Sequence, residues 1–174
     1  NKNFSQSCFG LSSILYSLCF KECVAYRIVL SKIFKTMRPI LSILIPTYNR
    51  SRYLEHLLSE LNDQSQCLPS RLHVEILISD NSSADDTIDV IKYFCSINRN
   101  MSFTRNSTNV GAEKNILYLL DKAQAPYCWI IGDDDMPIKG LLRNIVSLLS
   151  VDSPSLIYLK SLWASDIYLL QSKP

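Results

Sequence analysis

The chain has 174 residues, of which 47% are hydrophobic and 20% are charged, as is usual for a globular domain with a core. The formal net charge is only +2 at pH 7, and no basic stripe with interleaved aromatic residues occurs. A nucleic-acid partner is therefore not predicted. The six cysteines lack the spacing of a zinc site and are expected to be free thiols.

The first 36 residues differ from the rest of the chain. The apolar stretch LSSILYSLCF is interrupted by Lys21 and Glu22, whereas about 20 apolar residues are needed to span a bilayer. No small-x-small cleavage site of a signal peptide follows it. Because the first methionine is Met37, we expect residues 1–36 to be an extension outside a domain that covers residues 37–174. An amphipathic helix at a membrane surface is the alternative for this extension.

From residue 37 onward, predicted strands and helices alternate. In chain order, the segments with strand or helix periodicity are LSILIP (strand), SRYLEHLLSEL (helix), HVEILISD (strand), NSSADDTIDVIKYFC (helix), SFTR (strand), AEKNILYLLDKAQA (helix), YCWIIG (strand) and SLIYLK (strand). A further helix is expected between the last two strands, with Pro137 in its first turn. Ser83 and Asp86 have the spacing of a capping box. This alternation predicts an α/β fold with a mainly parallel sheet and helices on both faces.

Polar residues follow three of the predicted strands. They are Thr47, Tyr48, Asn49 and Arg50 after the first strand, Asp80 and Asn81 after the second, and Asp133, Asp134 and Asp135 after YCWIIG. Each cluster alone is compatible with a solvated turn, since Asn, Asp and Ser favour turns. The carboxyl ends of parallel strands share one edge of a sheet, where ligands bind. Together the clusters therefore predict a site at that edge.

The three consecutive aspartates need an explanation of their own. Carboxylates this close repel one another and raise each other's pKa unless positive charge lies among them. One interpretation is a solvated turn. The other is a metal-phosphate site, because a divalent cation takes hard oxygen ligands from one or two carboxylates and from substrate phosphates.

Four segments occur in an order and spacing that resemble family 2 glycosyltransferases, which are nucleotide-sugar-dependent enzymes. They are ILIPTYNRSRYLEHLLSEL, VEILISDNSSADDT, NVGAEKN and YCWIIGDDDMP. The resemblance runs from about Ile43 to Tyr158. The glycine before the acids in YCWIIGDDD is similar to the abequosyltransferase-type subgroup, which builds bacterial surface polysaccharides. The resemblance implies a GT-A fold, a Rossmann-like mainly parallel sheet, with the C-terminal acceptor part missing.

The resemblance also implies roles for individual residues. Pro46 to Asn49 correspond to the loop around the nucleobase and ribose, and Asp80 to the carboxylate that reads the base edge by accepting a pyrimidine N–H. Gly111 would allow close backbone approach, and Lys114 would neutralise diphosphate oxygens; an exposed helix lysine is the alternative for Lys114. The residues expected at the nucleotide sugar are Pro46, Thr47, Tyr48, Asn49, Arg50, Asp80, Asn81, Gly111, Lys114, Asp133 and Asp134.

The implied cofactor is Mn²⁺ or Mg²⁺. Asp133 and Asp135 form the DxD motif and are the ligands that this motif implies. The common family pattern DxDD, however, would align Gly132 with its first aspartate and would select Asp134 and Asp135. Asp135 is a ligand in both alignments.

The implied function is transfer of a sugar from a UDP- or CDP-sugar to a saccharide or lipid-linked acceptor, in surface polysaccharide or glycoconjugate synthesis. The expected location is the cytoplasm, at the inner face of the membrane. No catalytic base is assigned, because in this family it lies beyond SLIYLK. The alternative function is a nucleotide-binding module without catalysis. A phosphatase built on DxDxT is disfavoured because Pro137 occupies the threonine position, and the four glycines form no GxGxxG of an oxidoreductase.

Overall fold

A computed structural model describes residues 38–69, 74–152, 154–157 and 159. Within these residues, four strands alternate with four helices. Their bounds are β1 Leu41–Thr47, α1 Ser51–Gln66, β2 Val74–Asp80, α2 Thr87–Ile97, β3 Met101–Arg105, α3 Ala112–Lys122, β4 Tyr127–Ile130 and α4 Leu141–Val151. The extension predicted for residues 1–36 lies outside this part of the chain and stays a prediction.

The four strands form one parallel sheet in the order β3-β2-β1-β4. Thr47 at the end of β1 is level with Asp80 at the end of β2, and Asp80 is level with Arg105 at the end of β3. The carboxyl ends of three adjacent strands therefore meet at one height. The predicted α/β fold with a parallel sheet is confirmed.

The main core lies on the sheet face covered by α1, α2 and α4. Helix α1 contributes four fully buried leucines at helical spacing, Leu54, Leu57, Leu58 and Leu61. They pack against Ile43, Ile45, Ile76 and Ile78 of the two central strands. Alternate residues such as Ser79 point to the opposite face, where α3 packs through Asn115 and Leu119. Helices therefore cover both faces of the sheet, as predicted.

The prediction of a strand at SLIYLK is wrong for its described residues. Ser155, Leu156, Ile157 and Leu159 do not belong to a strand, and 84% of the surface of Leu156 is exposed. These residues instead line a cavity of about 230 Å³ beside β4. A short apolar run does not by itself specify strand pairing, because pairing depends on the partner that the fold supplies.

The start of α4 also differs from the prediction. Pro137 is buried in the loop before the helix, which begins four residues later, at Leu141. Gly140 delays the start because its φ of +80° is left-handed. The buried Gln64 side chain then accepts a hydrogen bond from the Leu142 N–H at 2.9 Å and so caps the helix from α1.

The predicted capping box of Ser83 and Asp86 is not formed. Asp86 is the residue before α2, and its side chain makes no capping hydrogen bond. Asp85 accepts the Thr87 N–H instead, at 3.1 Å. The Ser83 hydroxyl accepts a hydrogen bond from the Asn49 N–H and so belongs to the loops at the carboxyl edge of the sheet. Across the described helices, none is long and apolar enough to cross a membrane.

Candidate functional site

The polar residues that follow β1, β2 and β4 lie in contact at the carboxyl edge of the sheet. The Thr47 hydroxyl donates to Asp133 Oδ2 at 2.7 Å, which joins the ends of β1 and β4. The Asn81 N–H donates to the Thr47 carbonyl at 2.9 Å, which joins β1 and β2. The three clusters predicted from separate strand ends therefore form one connected polar cluster, part of which is buried.

Each aspartate of the triplet has its own donor. Asp133 accepts from Thr47, Asp134 Oδ2 lies 3.2 Å from Arg50 Nη1, and Asp135 Oδ2 accepts the Gly132 N–H at 3.1 Å. Burial raises the pKa of Asp133, and the Thr47 hydrogen bond and the Arg50 charge oppose that rise only in part. The repulsion expected within the triplet is thus reduced by protein groups.

Gly132 leaves a space on which two of these carboxylates converge. A Cβ atom added at Gly132 would lie 3.1 Å from Asp134 Oδ1 and 3.1 Å from Asp135 Oδ2. An aspartate could not replace this glycine without displacing them. Asp134 and Asp135 therefore both lie beside Gly132, whereas Asp133 is bonded to Thr47 at the end of β1.

Whether a divalent cation fits beside Gly132 depends on the ligands that the surrounding residues supply. Two converging carboxylates supply the hard oxygen ligands that Mn²⁺ and Mg²⁺ prefer. In the described ranges, no three His, Cys, Asp or Glu residues are grouped to hold a metal ion by themselves. The residues fit a cation whose remaining ligands come from another molecule, such as a diphosphate, and they do not form an all-protein metal cage.

The loop after β1 is held to the loop after β2. Asn49, with a φ of +53°, donates its N–H to the Ser83 hydroxyl at 2.8 Å, and its Oδ1 accepts the Ala84 N–H at 2.7 Å. Asparagine tolerates this left-handed conformation better than most residues. Pro46 is half-buried at the end of β1, and Tyr48 is 43% exposed at the carboxyl edge of the sheet. The region between Tyr48, the aspartate triplet and the start of α3 is called the crevice below. The structure thus presents an aromatic side chain on a fixed loop.

Asp80 lies beneath the crevice surface and is fully buried. Its Oδ1 accepts the Ser83 N–H at 3.0 Å, and Arg105 Nε lies 3.2 Å from its Oδ2. That ion pair lacks hydrogen-bond geometry, so Oδ2 accepts no hydrogen bond from the described residues. Arg105 Nη2 donates instead to the Ser83 carbonyl at 2.7 Å. Because Asp80 is fully buried, direct contact with a base requires its neighbours to move, and the partly exposed Arg105 side chain is the neighbour at Oδ2.

An asparagine network supports the crevice, and of its members only Asn81 was predicted from the sequence as a site residue. Asn81 is buried, and its Oδ1 accepts from Asn106 Nδ2 and from the Val110 N–H, both at 3.0 Å. Its Nδ2 donates to Asn109 Oδ1 at 2.8 Å. Asn115 continues the network by accepting from Asn106 Nδ2 at 2.9 Å. The repeated asparagines in RNSTNVGAEKN were the available signal, because buried amides need partners.

Gly111 and Lys114 begin helix α3 at the same edge. Gly111 has a φ of +90°, and a Cβ atom there would meet nothing within 4 Å, so its backbone conformation rather than crowding requires glycine. The side that a Cβ would occupy is open to an approaching ligand. Lys114 is exposed and makes no ion pair with any residue that the structure describes.

The fold is α/β with a parallel sheet, and its polar residues collect at the carboxyl ends of the strands, which is where proteins of this class bind ligands. The profile of Glycosyl transferase family 2 matches residues 42–166, which is most of the chain. The chain belongs to this family of glycosyltransferases, and the resemblance inferred from its motifs is confirmed.

Two curated relatives agree with this assignment. The abequosyltransferase RfbV of Salmonella typhimurium is 40% identical over 121 residues, which cover 69% of this chain and 35% of that protein. The Campylobacter jejuni GalNAc(5)-diNAcBac-PP-undecaprenol beta-1,3-glucosyltransferase is 29% identical over 118 residues, which cover 62% of this chain and 34% of that protein. The chain spans about a third of the length of these relatives.

Solved glycosyltransferase structures share the fold. S. aureus TarS in complex with UDP-GlcNAc has a TM-score of 0.57 and 24% identity, over 66% of this chain and 31% of that one. The mannosyltransferase PcManGT of Pyrobaculum calidifontis, in complex with GDP-Man and Mn²⁺, has a TM-score of 0.56 and 20% identity, over 67% and 34%. At these identities the likeness concerns the fold, and it confirms the predicted GT-A architecture.

Proposed function

We propose that this chain is the donor-binding part of a glycosyltransferase that uses a nucleoside-diphosphate sugar and a divalent cation. The observation that carries the proposal is the convergence of Asp134 and Asp135 beside Gly132, at the edge where the loops after β1 and β2 meet. The relatives named as glycosyltransferases and the neighbours with bound UDP-GlcNAc or GDP-Man and Mn²⁺ support it.

In this proposal the nucleoside lies against the loop from Pro46 to Arg50. The exposed ring of Tyr48 offers a face for a base, and the loop is rigid because Asn49 is bonded to the next loop. Asp80 Oδ2 is an unused acceptor that can take the N–H of a pyrimidine when Arg105 moves aside. Asn81 holds the neighbouring loop in place through its asparagine partners.

The diphosphate lies between the aspartate triplet and the start of α3. Asp134 and Asp135 would hold Mn²⁺ or Mg²⁺, with Asp133 behind them. When bound, the cation would stabilise the negative charge that develops on the leaving diphosphate. Lys114 is exposed and available to phosphate oxygens, and Gly111 leaves room for them. We propose a UDP- or CDP-sugar as donor.

The proposed acceptor is a saccharide or a lipid-linked saccharide, as in surface polysaccharide synthesis at the inner face of the membrane. Transfer with inversion requires a general base that deprotonates the acceptor hydroxyl. No residue in the described ranges is assigned this role. The proposal therefore covers binding of the donor and the cation, and it assigns no residue to deprotonation of the acceptor.

The test is calorimetric titration of UDP and CDP in Mn²⁺ or in EDTA, with parent, Asp135→Ala and Asp121→Ala proteins. Asp121 is an exposed carboxylate on α3 that pairs with Lys122 and serves as the matched control. We expect Mn²⁺ to strengthen nucleotide binding in the parent and in Asp121→Ala, but not in Asp135→Ala. Nucleotide binding by the parent that does not depend on metal would contradict the proposal. Rapid transfer to an added acceptor would show that the chain is more than a donor-binding part.

A further inference from the structure

Arg50 forms an ion pair with the middle aspartate of the triplet. Its Nη1 lies 3.2 Å from Asp134 Oδ2, and the side chains are 46% and 54% exposed. The guanidinium also lies over the ring of Tyr53, with 5.5 Å between its carbon and the ring centroid. Exposed ion pairs are weak because water and salt screen them, so another charged group can displace this one.

Asp134 has a second oxygen that faces a different neighbour. Oδ2 is directed to Arg50, whereas Oδ1 lies beside Gly132 in the space that it shares with Asp135. A divalent cation in that space and the Arg50 guanidinium would both draw on the single negative charge of Asp134. The two positive groups therefore compete, and each weakens the binding of the other.

The main chain of Arg50 is fixed while its side chain is exposed. Its N–H donates to the Thr87 hydroxyl at 3.2 Å, and its carbonyl accepts the Leu54 N–H at 2.9 Å in the first turn of α1. The guanidinium can change partner by side-chain rotation alone. A diphosphate is a suitable new partner, because guanidinium groups bind phosphate oxygens through two parallel hydrogen bonds.

We propose that Arg50 is a positioning residue. It forms an ion pair with Asp134 when no donor is bound, and it leaves Asp134 to bind the diphosphate when the donor enters. The exchange releases Asp134 to hold the divalent cation together with Asp135. Nucleotide and cation then bind cooperatively, since the nucleotide removes the group that competes with the cation, and the coupling is reciprocal. The inference rests on the proposed function.

The test is a Mn²⁺ titration followed by electron paramagnetic resonance, with and without saturating UDP. Without nucleotide, Arg50→Gln should bind Mn²⁺ about two- to fivefold more tightly than the parent, because an exposed pair contributes a factor of that order. Added UDP should strengthen Mn²⁺ binding in both proteins, because the diphosphate supplies metal ligands, but the gain should be about two- to fivefold smaller in Arg50→Gln, where no competing cation is removed. Arg50→Lys keeps the charge, so its Mn²⁺ affinity without nucleotide should be close to that of the parent, whereas its gain from UDP should be smaller because an ammonium group cannot form the two parallel hydrogen bonds.

Two controls separate partner exchange from a general charge effect. Arg52→Gln removes the same charge from an exposed arginine on α1 that has no ion pair among the described residues, and it should match the parent. In an Asp134→Asn background, Arg50→Gln should no longer alter Mn²⁺ affinity. Equal or weaker Mn²⁺ binding by Arg50→Gln without nucleotide would overturn the inference alone. A parent that binds no UDP, with or without Mn²⁺, would overturn the proposed function as well.

Discussion

Thr47 and Asp133 are 86 positions apart in the chain, yet a hydrogen bond of 2.7 Å joins Thr47 Oγ1 to Asp133 Oδ2. Thr47 ends the central strand β1, and Asp133 follows β4, which pairs with β1 in parallel. The bond ties the half-buried first aspartate to the sheet. Asp134 and Asp135 extend from that anchor to the exposed crevice.

Loss of this hydrogen bond should destabilise the fold. Thr47→Val preserves the shape of the buried side chain but removes the hydroxyl that Asp133 accepts. We expect the free energy of unfolding to fall by about 1–2 kcal/mol, since a hydrogen bond to a charged group is lost from a half-buried site. Urea denaturation measures the change. Thr108→Val is the control, because Thr108 is exposed, and an equal loss in both variants would contradict the assignment.

Removing Arg105 should lower the free energy of unfolding more than removing the charge of its partner Asp80. Arg105→Gln leaves a fully buried carboxylate without its counter-charge, and we expect a loss of roughly 3 kcal/mol. Asp80→Asn leaves a guanidinium whose side chain is already 42% exposed and can turn to water, at a cost of about 1 kcal/mol. Chemical denaturation of both variants compares the two losses. A loss of less than about 1 kcal/mol in Arg105→Gln would mean that Arg105 does not stabilise the buried charge.

Asp80 should also affect recognition of the base. Asp80→Ala should weaken UDP or CDP binding by roughly 1–3 kcal/mol, which is the cost of leaving a buried partner unpaired. Pyrophosphate has no base, so its Mn²⁺-dependent binding should be unchanged, and it serves as the control ligand. Calorimetry on the folded variant measures both ligands. A variant that binds UDP and CDP like the parent would show that Asp80 does not contribute to the base site.

Asp85 should make stability depend on pH at acidic values. Its carboxylate accepts the N–H groups of Ser51 and Thr87, both at 3.1 Å, and so caps α1 and α2 together. Burial acts to raise the pKa of Asp85, but hydrogen bonds from Thr87 and Ser51 outweigh it and hold the pKa below its ordinary value of 3.8. A carboxylate whose pKa is lower in the folded state stabilises the fold. This stabilisation is complete above the unfolded-state pKa and is lost as pH falls through the folded-state pKa.

Asp85→Ala should therefore lower the free energy of unfolding by about 1–2 kcal/mol at neutral pH. The difference from the parent should narrow below about pH 4, where the parent carboxylate takes up a proton. Asp86→Ala is the matched control, since Asp86 precedes α2 without a capping hydrogen bond. Denaturation curves at several pH values measure the difference. If the free energies of unfolding of Asp85→Ala and the parent differ by the same amount at neutral pH and well below pH 4, Asp85 does not act as a cap.

The sequence by itself determined the succession of strands and helices from Leu41 to Val151, the parallel sheet and the edge at which the polar clusters lie, but not the segment SLIYLK, which was predicted to be a strand. These features follow from local patterns, because side-chain periodicity selects the element and polar residues mark where a buried strand ends. The family could be inferred from the same stretches, since four motifs in order are specific even though each alone is weak.

Tertiary structure decided which of those polar groups face the crevice. The sequence predicts Asp80 as a site residue. The sheet register, however, places Asp80 level with Arg105, and the two form an ion pair in which the Asp80 carboxylate is fully buried. The position of Asp134 and Asp135 beside Gly132 depends on the backbone there, and the Ser83 hydroxyl serves Asn49 rather than its own helix. These contacts join residues far apart in the chain. Local periodicity determines the type of each element, whereas the packing of distant segments fixes the burial and the partners of individual side chains.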